Sequence, residues 1–378
     1  AGYYYQAAYG VTIAYAESPL TVAEDIQKVR PTIVTAVPRF YEKIHMRILE
    51  TVRQSPLWKQ RLFDWAVRIG TRAAQMKIRK QKIPLWLAFY NVLAKLLVFN
   101  KLKKAMGGRI RFFISGGAPL SKDLARFFFA ADILILEGYG LTETSPVIAV
   151  NAVGDFKFGT VGKPIAGIQV KISKEGEILT AGPCVMKGYY NNPEATDECI
   201  RDGWLHTGDI GTFDEEGYLC ITDRKKDIIV TAGGKNVSPQ KIERSILEDE
   251  LFWQVVVLGD KRPYLCALIV PNKEEVLRFA QKAGLGAMPY PELLKSQNVH
   301  DWVQMRLQAR MEGLANYETV KTFVLLPEDF SQAAGEMTPT LKLKRRVIMK
   351  EYQKVIDELY HQTDHKWSKR KSLAGVAR

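Results

Sequence analysis

Short β-branched runs alternate with helical stretches at the start of the chain. Val11–Ala16 and Thr32–Val37 read as strands and Thr21–Val29 between them as a helix, which predicts a β-α-β unit. Pro38 ends the second strand. From Arg39 to about Lys104 the chain reads as several helices, with Pro56 and Pro84 as punctuation. Gly107-Gly108 then opens a new alternation: strand Arg109–Ile114, loop Ser115–Pro119, helix Ser121–Ala130, strand Ile133–Leu136. That order predicts α/β layering on a parallel sheet.

Between Gly159 and Thr222 the pattern changes to short strands with glycine turns, among them Ile168–Ile172, Glu177–Leu179 and Tyr218–Ile221. After Asp223-Arg224-Lys225-Lys226-Asp227 it changes again. Strand Ile228–Thr231 precedes a helix opened by Ser238-Pro239 and running to Asp249. Strands Val255–Gly259 and Tyr264–Val270 follow, then helices and strand Phe323–Leu326. The expected organisation is an α/β domain over residues 1–158, a β-rich subdomain over 159–225 and a small α+β domain over 226–378, with the boundary in the charged segment 223–227.

Composition narrows the class. A hydrophobic share of 47% with 25% charged residues fits a folded globular chain and excludes collagen, coiled coil and disorder. The longest apolar stretch, Leu85 to Phe99, is broken by Asn91 and Lys95, so no run is expected to reach the roughly 18–20 residues of a membrane-spanning helix. Ala1-Gly2-Tyr3-Tyr4-Tyr5 carries neither a basic leader nor a start methionine, which suggests a sequence beginning inside a longer protein. Cys184, Cys199, Cys220 and Cys266 form no CxxC pair, which argues against zinc and fits a reducing cytosol.

The net charge of +13 concentrates in Arg53–Lys104, in Lys342-Leu343-Lys344-Arg345-Arg346 and in the tail Lys366–Lys371. A basic surface attracts phosphate, anionic lipid and nucleic acid alike. For the first and last of these stretches a solvated face is the leading reading and membrane contact the next. Nucleic acid is not expected, because no nucleic-acid motif accompanies the charge.

Five segments carry candidate chemistry. Gly138-Tyr139-Gly140-Leu141-Thr142-Glu143-Thr144-Ser145-Pro146 is read as a loop at the end of a parallel strand, a common ligand position. Tyr139 offers a flat face, Thr142 and Thr144 offer hydroxyls, and Glu143 offers a carboxylate suited to Mg²⁺; a capped turn is the structural alternative. Ser115-Gly116-Gly117-Ala118-Pro119 leaves N–H groups free before a helix, or simply makes a turn. In Asp202-Gly203-Trp204-Leu205-His206-Thr207-Gly208-Asp209-Ile210-Gly211, Asp209 can accept hydrogen bonds from a sugar diol. There, Trp204 reads as core and His206 as a satisfied structural histidine. Asp223–Asp227 with Gly233-Gly234-Lys235-Asn236 reads as a charge run and a hairpin turn. Thr338-Pro339-Thr340-Leu341-Lys342-Leu343-Lys344-Arg345-Arg346 places lysines before a helix, where positive charge opposes the helix dipole and so points to a use.

Taken in order and spacing, GYGLTETSP, DGWLHTGDIG, DRKKD, GGKN and TPTLKLKRR resemble the adenylate-forming superfamily, with essentially the whole chain covered. Asp202–Glu243 looks like the fatty acyl-CoA synthetase signature, and TPTLKLKRR and Pro38–Ile44 are similar to its long-chain branch. The resemblance implies an α/β adenylate-forming fold: the remainder of a large N-terminal domain with a β-rich subdomain, and a small mobile C-terminal lid. It implies ATP, Mg²⁺ and coenzyme A, and activation of a long-chain fatty acid through acyl-AMP. By the same analogy, Tyr139 and Gly140 lie against adenine beside Gly116, Gly117 and Ala118. Thr142 sits near the phosphates, Glu143 holds Mg²⁺, and Asp209 and Arg224 grip the ribose. Lys344, or Lys342 in its place, bridges carboxylate and α-phosphate. Lys226 is the hinge, and Gly233 and Gly234 line the pantetheine channel.

The family's phosphate loop, of the form TSGTTGxPKG, and its upstream histidine segment are expected before residue 1. A non-catalytic remnant, an aromatic-acid ligase and a purely charge-driven surface binder are the competing readings. The expected location is cytoplasmic, with peripheral membrane contact.

Overall fold

Prolines set the frame of the helices. Pro38 opens α2 (Pro38–Arg53), and Pro56 and Pro84 stand just before α3 (Leu57–Ile78) and before the helix that begins at Leu85. At these places a missing N–H and a fixed φ cost little. The computed structural model describes residues 6–18, 21–338 and 342–360. Residues Ala1-Gly2-Tyr3-Tyr4-Tyr5, Pro339-Thr340-Leu341 of the basic loop and the tail Lys366–Lys371 lie outside them. The chain divides into two compact units, Ala1–Ile221 and Thr222–Arg378.

In the first unit, α1 (Val22–Val29) leads into β1 (Ile33–Ala36), and α2 and α3 are followed by α4, a helix from Leu85 to Ala105 with a π-helical stretch at Lys95–Phe99. Strands β2 (Phe112–Ser115) and β3 (Ile135–Gly140) flank α5 (Lys122–Ala130). Strands β1, β2 and β3 are parallel, and β4 (Val147–Val150) and β5 (Lys163–Pro164) extend the sheet antiparallel. Tyr41, Phe99, Phe113, Phe128 and Ile135 fill the core between this sheet and its helices. A second sheet runs β10 (Leu219–Arg224, whose last three residues fall in the second unit), β9 (Trp204–Phe213), β7 (Glu177–Ala181), β6 (Gln169–Ile172), with the short β8 (Ile200–Arg201) paired to β9.

The second unit begins with a hairpin of β11 (Ile229–Val230) and β12 (Asn236–Val237), followed by α6 (Pro239–Leu247), capped by the Ser238 side chain. Its sheet is β13 (Phe252–Leu258), β14 (Leu265–Pro271) and β15 (Val320–Leu325). Every residue of the central strand β14 is buried, with α6 and α7 (Gln297–Arg310) contributing Ile242, Ile246, Val299, Val303 and Leu307 to the same core. α8 (Arg345–Glu351) follows the basic loop.

Three expectations change. Val11–Ala16 is no strand: nothing among the described residues pairs with it, and Val11 and Tyr15 are exposed. A β-branched run has no ladder without a neighbour. Gly138-Tyr139-Gly140 belongs to β3 instead of forming a loop, because β4 folds back to pair with it. Asn91 and Lys95 do not interrupt α4. Among the described residues it is the one helix long and apolar enough to cross a membrane by length and composition, at 21 residues.

Candidate functional site

Two of the three parallel strands end at the same level, and β3 runs on past them to Gly140. Ala36 pairs in register with Ser115, and Ser115 with Glu137, so the segments that leave β1, β2 and β3 start from one edge of the sheet. Ligands of open α/β sheets bind at such carboxyl ends. The loop after β2 is held from both sides. The Gly116 N–H donates to Ala36 O at 3.3 Å, and the Leu120 N–H donates to the buried Glu137 carboxylate at 3.2 Å. Gly116 faces Gly138 with room for a side-chain carbon: a Cβ there would lie 3.8 Å from the Gly138 carbonyl oxygen, an ordinary contact. Ser115, only 1% exposed, has a hydroxyl with no hydrogen-bond partner among the described residues, an unfavourable arrangement directly beneath this loop.

The turn after β3 is tied by Thr144. Its hydroxyl accepts from the Leu141 N–H at 3.0 Å and donates to Pro146 O at 2.8 Å. Thr144 is therefore buried scaffold, while Thr142 is exposed on the short 3₁₀ turn Thr142–Thr144. Glu143 is half-buried. Its Oε1 accepts the Tyr189 hydroxyl at 2.9 Å, and its main-chain oxygen accepts the Met186 N–H at 2.8 Å. Partial burial, and then the Glu143 charge, push the Tyr189 phenol up to about 12, so it stays a donor near neutrality. Among the described residues no group of three His, Cys, Asp or Glu forms a self-sufficient cation cage. One carboxylate beside phosphate oxygens is nevertheless the way proteins commonly hold Mg²⁺, and Glu143 fits that role.

Tyr139 and Asp209 meet, although 70 residues separate them: the phenol donates to Oδ2 at 2.7 Å. Tyr139 packs on Ile148, Ala149, Ile178 and Leu219 and keeps 8% of its surface exposed, so any base must contact it through that remainder. Asp209 sits in β9, whose neighbouring backbone is clamped by buried Glu177. One Glu177 oxygen accepts the Gly208 N–H at 3.0 Å and the other lies 3.2 Å from His206 Nδ1. His206 is thus engaged structurally. Trp204 is not core: it is half-buried, with the Lys171 ammonium 3.8 Å from its ring centroid. Glu177 and Tyr189 are the residues that sequence reasoning missed. A carboxylate among apolar neighbours in the short strand β7 was the one available signal for Glu177.

The first unit therefore gathers Gly116, Gly117, Ala118, Tyr139, Gly140, Thr142, Glu143 and Asp209. Arg224, Lys226, Gly233, Gly234 and Lys344 belong to the second. Arg224 and Lys226 are exposed, next to Asp223, which accepts the Arg224 N–H at 2.7 Å and whose pKa is raised by burial. Gly233-Gly234 is the turn between β11 and β12. Lys344 caps α8 with an exposed side chain; its N–H donates to Glu336 O at 2.7 Å. Lys342 is half-buried, and its N–H donates to the Thr338 hydroxyl at 3.0 Å.

The residue after Lys344 is anchored. The Arg345 guanidinium donates to Glu243 at 2.9 Å and to Val257 O, and Glu243 in turn accepts the Val257 N–H at 2.7 Å. Burial raises the Glu243 pKa, with Arg345 opposing that rise. Glu243→Ala leaves Arg345 without its counter-charge and is expected to cost about 3 kcal/mol, the low end for a broken buried pair because both side chains retain some solvent access. Denaturant unfolding checks this, and replacing both partners by Met is expected to recover much of the loss.

Comparison with known proteins follows the same two segments. A family model described as AMP-binding enzyme matches residues 2–190, and one described as AMP-binding enzyme C-terminal domain matches residues 226–364. The long-chain-fatty-acid–CoA ligase FadD15 of Mycobacterium bovis is 36% identical over 352 residues, covering 93% of this chain and 58% of its own length. The long-chain-fatty-acid–CoA ligase ACSBG2 of Homo sapiens is 32% identical, covering 90% and 54%. The chain thus spans little more than half the length of these relatives. Among solved structures, the A-PCP didomain of carboxylic acid reductase from Segniliparus rugosus in complex with AMP superposes with a TM-score of 0.67 at 22% identity, covering 97% of this chain and 47% of that one. ATP-bound MatB from Rhodopseudomonas palustris superposes at 0.57 and 24% identity, covering 89% and 54%. At these identities the likeness shows the fold, the α/β architecture with a β-rich subdomain and a small α+β unit expected above.

Proposed function

The chain belongs to the AMP-binding enzyme family, and from that membership we propose that it serves the ATP-dependent activation of a long-chain fatty acid to its coenzyme A thioester. The observation that carries the reading is the meeting of Tyr139 and Asp209, 2.7 Å apart, with Tyr139 two residues beyond the level at which β1 and β2 end.

In the first step a carboxylate oxygen attacks the ATP α-phosphorus, the bond to the β-phosphate breaks, and acyl-AMP and pyrophosphate form. In the second the coenzyme A thiol, losing its proton, attacks the acyl carbon and AMP leaves. The Gly116-Gly117-Ala118 backbone and the Tyr139-Gly140 segment position the adenine. Asp209 and Arg224 hold the ribose, and Thr142 lies near the phosphates. Glu143, oriented by Tyr189, holds Mg²⁺, which when bound offsets phosphate charge. Lys344 meets the negative charge that develops between carboxylate and α-phosphate, and holding both reactants in line supplies much of the rest. The charged segment 223–227 is the hinge, with Lys226 as its pivot. Turning there withdraws Lys344 and brings Gly233 and Gly234 to the pantetheine, a gating role. The protein acts in the cytoplasm and on the surface of a membrane.

The relatives named as long-chain-fatty-acid–CoA ligases support a long aliphatic acid over an aromatic one. Thioester formation measured with palmitate, a short-chain acid and benzoate is expected to favour palmitate. Preference for benzoate would move the protein to an aromatic-acid ligase.

A further inference from the structure

Helix α4 turns Asn91, Lys95 and Lys103 toward the unit. Asn91 and Lys95 line a small gap with Lys77 and Asp132, and the Lys95 and Lys103 ammonium groups reach the Asp132 carboxylate at 3.1 and 2.6 Å. Burial alone would raise the Asp132 pKa; the hydrogen bonds and charges of Lys103 and Lys95 outweigh it and hold the pKa down, so these pairs stay ionised. Leu87, Ala94 and Phe99 pack into the unit on the same inward side, and Trp65 of α3 meets Tyr90 edge-on. What remains outside is an uninterrupted apolar stripe: Leu85, Trp86, Phe89, Val92, Leu96 and Leu97, with Leu85 90% and Phe89 62% exposed. It runs over roughly 18 Å of helix at 1.5 Å per residue.

The helix and the segments that flank it in sequence carry one sign of charge. No Asp or Glu occurs anywhere in Leu85–Ala105. Exposed Arg79, Lys80 and Lys82 stand at one end and exposed Lys101 and Lys104 at the other. An apolar stripe with aromatic rings, bracketed by cations, matches the boundary between acyl chains and anionic headgroups. Crossing a bilayer would pull Lys95 and Lys103 from Asp132 and Phe99 from the core, which argues against a spanning role.

We propose that α4 is an in-plane docking surface for an anionic lipid bilayer, with Leu85, Phe89, Val92 and Leu96 entering the acyl boundary and Lys101 and Lys104 meeting the headgroups. The proposal identifies where the membrane contact suggested above is made and does not depend on the catalytic assignment.

The test is flotation of the full protein, expressed from its natural reading frame, with phosphatidylcholine vesicles and with vesicles that also contain phosphatidylserine. The wild type is expected to float with the anionic vesicles and to be released by salt. Leu85→Gln/Phe89→Gln/Leu96→Gln is expected to lose binding by about tenfold or more with an unchanged melting temperature, since these side chains are exposed. Lys101→Gln/Lys104→Gln keeps the stripe and is expected to lose a similar factor on anionic vesicles alone. Three results overturn the proposal: flotation of both variants like wild type; no flotation of wild type with a melting temperature that falls in the triple variant, which would mean the protein's own chain covers the stripe; or a wild-type dimer that the triple variant disperses, which would make a second copy the occupant.

Discussion

Lys344→Ala is expected to slow acyl-adenylate formation by about 10³-fold, roughly 4 kcal/mol of lost transition-state stabilisation. The expectation rests on where the side chain stands. Lys344 is exposed at the head of α8, with its backbone bound to Glu336 and its neighbour Arg345 locked onto Glu243 and Val257. A flexible ammonium on a fixed base can meet charge that appears only during reaction. Lys342 is half-buried two residues earlier, so Lys342→Ala is expected to have the smaller effect. Single-turnover formation of acyl-AMP separates the two. Thioester formation from supplied acyl-AMP is expected to survive Lys344→Ala, because that step does not use the lysine. If Lys342→Ala is the more damaging change, the two lysines exchange roles. If both half-reactions fall together, Lys344 is structural.

Gly140→Ala is expected to destabilise the first unit by more than about 4 kcal/mol, an exceptional value for one methyl group. A Cβ at Gly140 would lie 1.5 Å from the Pro146 carbonyl oxygen and 2.9 Å from Val147 Cα. These are backbone atoms of the first residue of β4 and of the residue before it, so relief requires opening the β3–β4 connection and with it the Thr142–Glu143 turn. Gly234→Ala is the control. Gly234 has φ +71° but open space where a Cβ would go, so only the backbone conformation opposes alanine, at about 1 kcal/mol. Denaturant unfolding of both variants decides. Equal, small losses would mean that β3 and β4 are not held this closely.

How much of this could be read from the chain depended on the range of the cause. Local signals were legible: Pro38 at the end of a strand, Pro56 and Pro84 between helices, and Ser238 before Pro239 at a helix start, where its side chain accepts the Lys241 N–H. The motif loops were legible as candidates because glycine and charge stand out in a row of residues. Effects that need a distant partner were not. Val11–Ala16 has strand composition and no ladder partner among the described residues, and Gly138–Gly140 has turn composition and becomes strand because β4 returns to it. Tyr189 finds Glu143 across 46 residues, and Glu243 finds Arg345 across 102, with no pattern in the sequence to announce either. The apolar stripe of α4 was hidden for a related reason. Asn91 and Lys95 interrupt the run when residues are taken in order, and only the helical turn carries them to the inward side.

The central claim is that an acid is activated as its adenylate before coenzyme A takes part. Fatty-acid-dependent ATP–pyrophosphate exchange, measured on the full protein with coenzyme A left out, tests it most directly. Exchange that requires both palmitate and Mg²⁺ is expected. A folded protein that forms the thioester from palmitate, ATP and coenzyme A yet shows no exchange would contradict it.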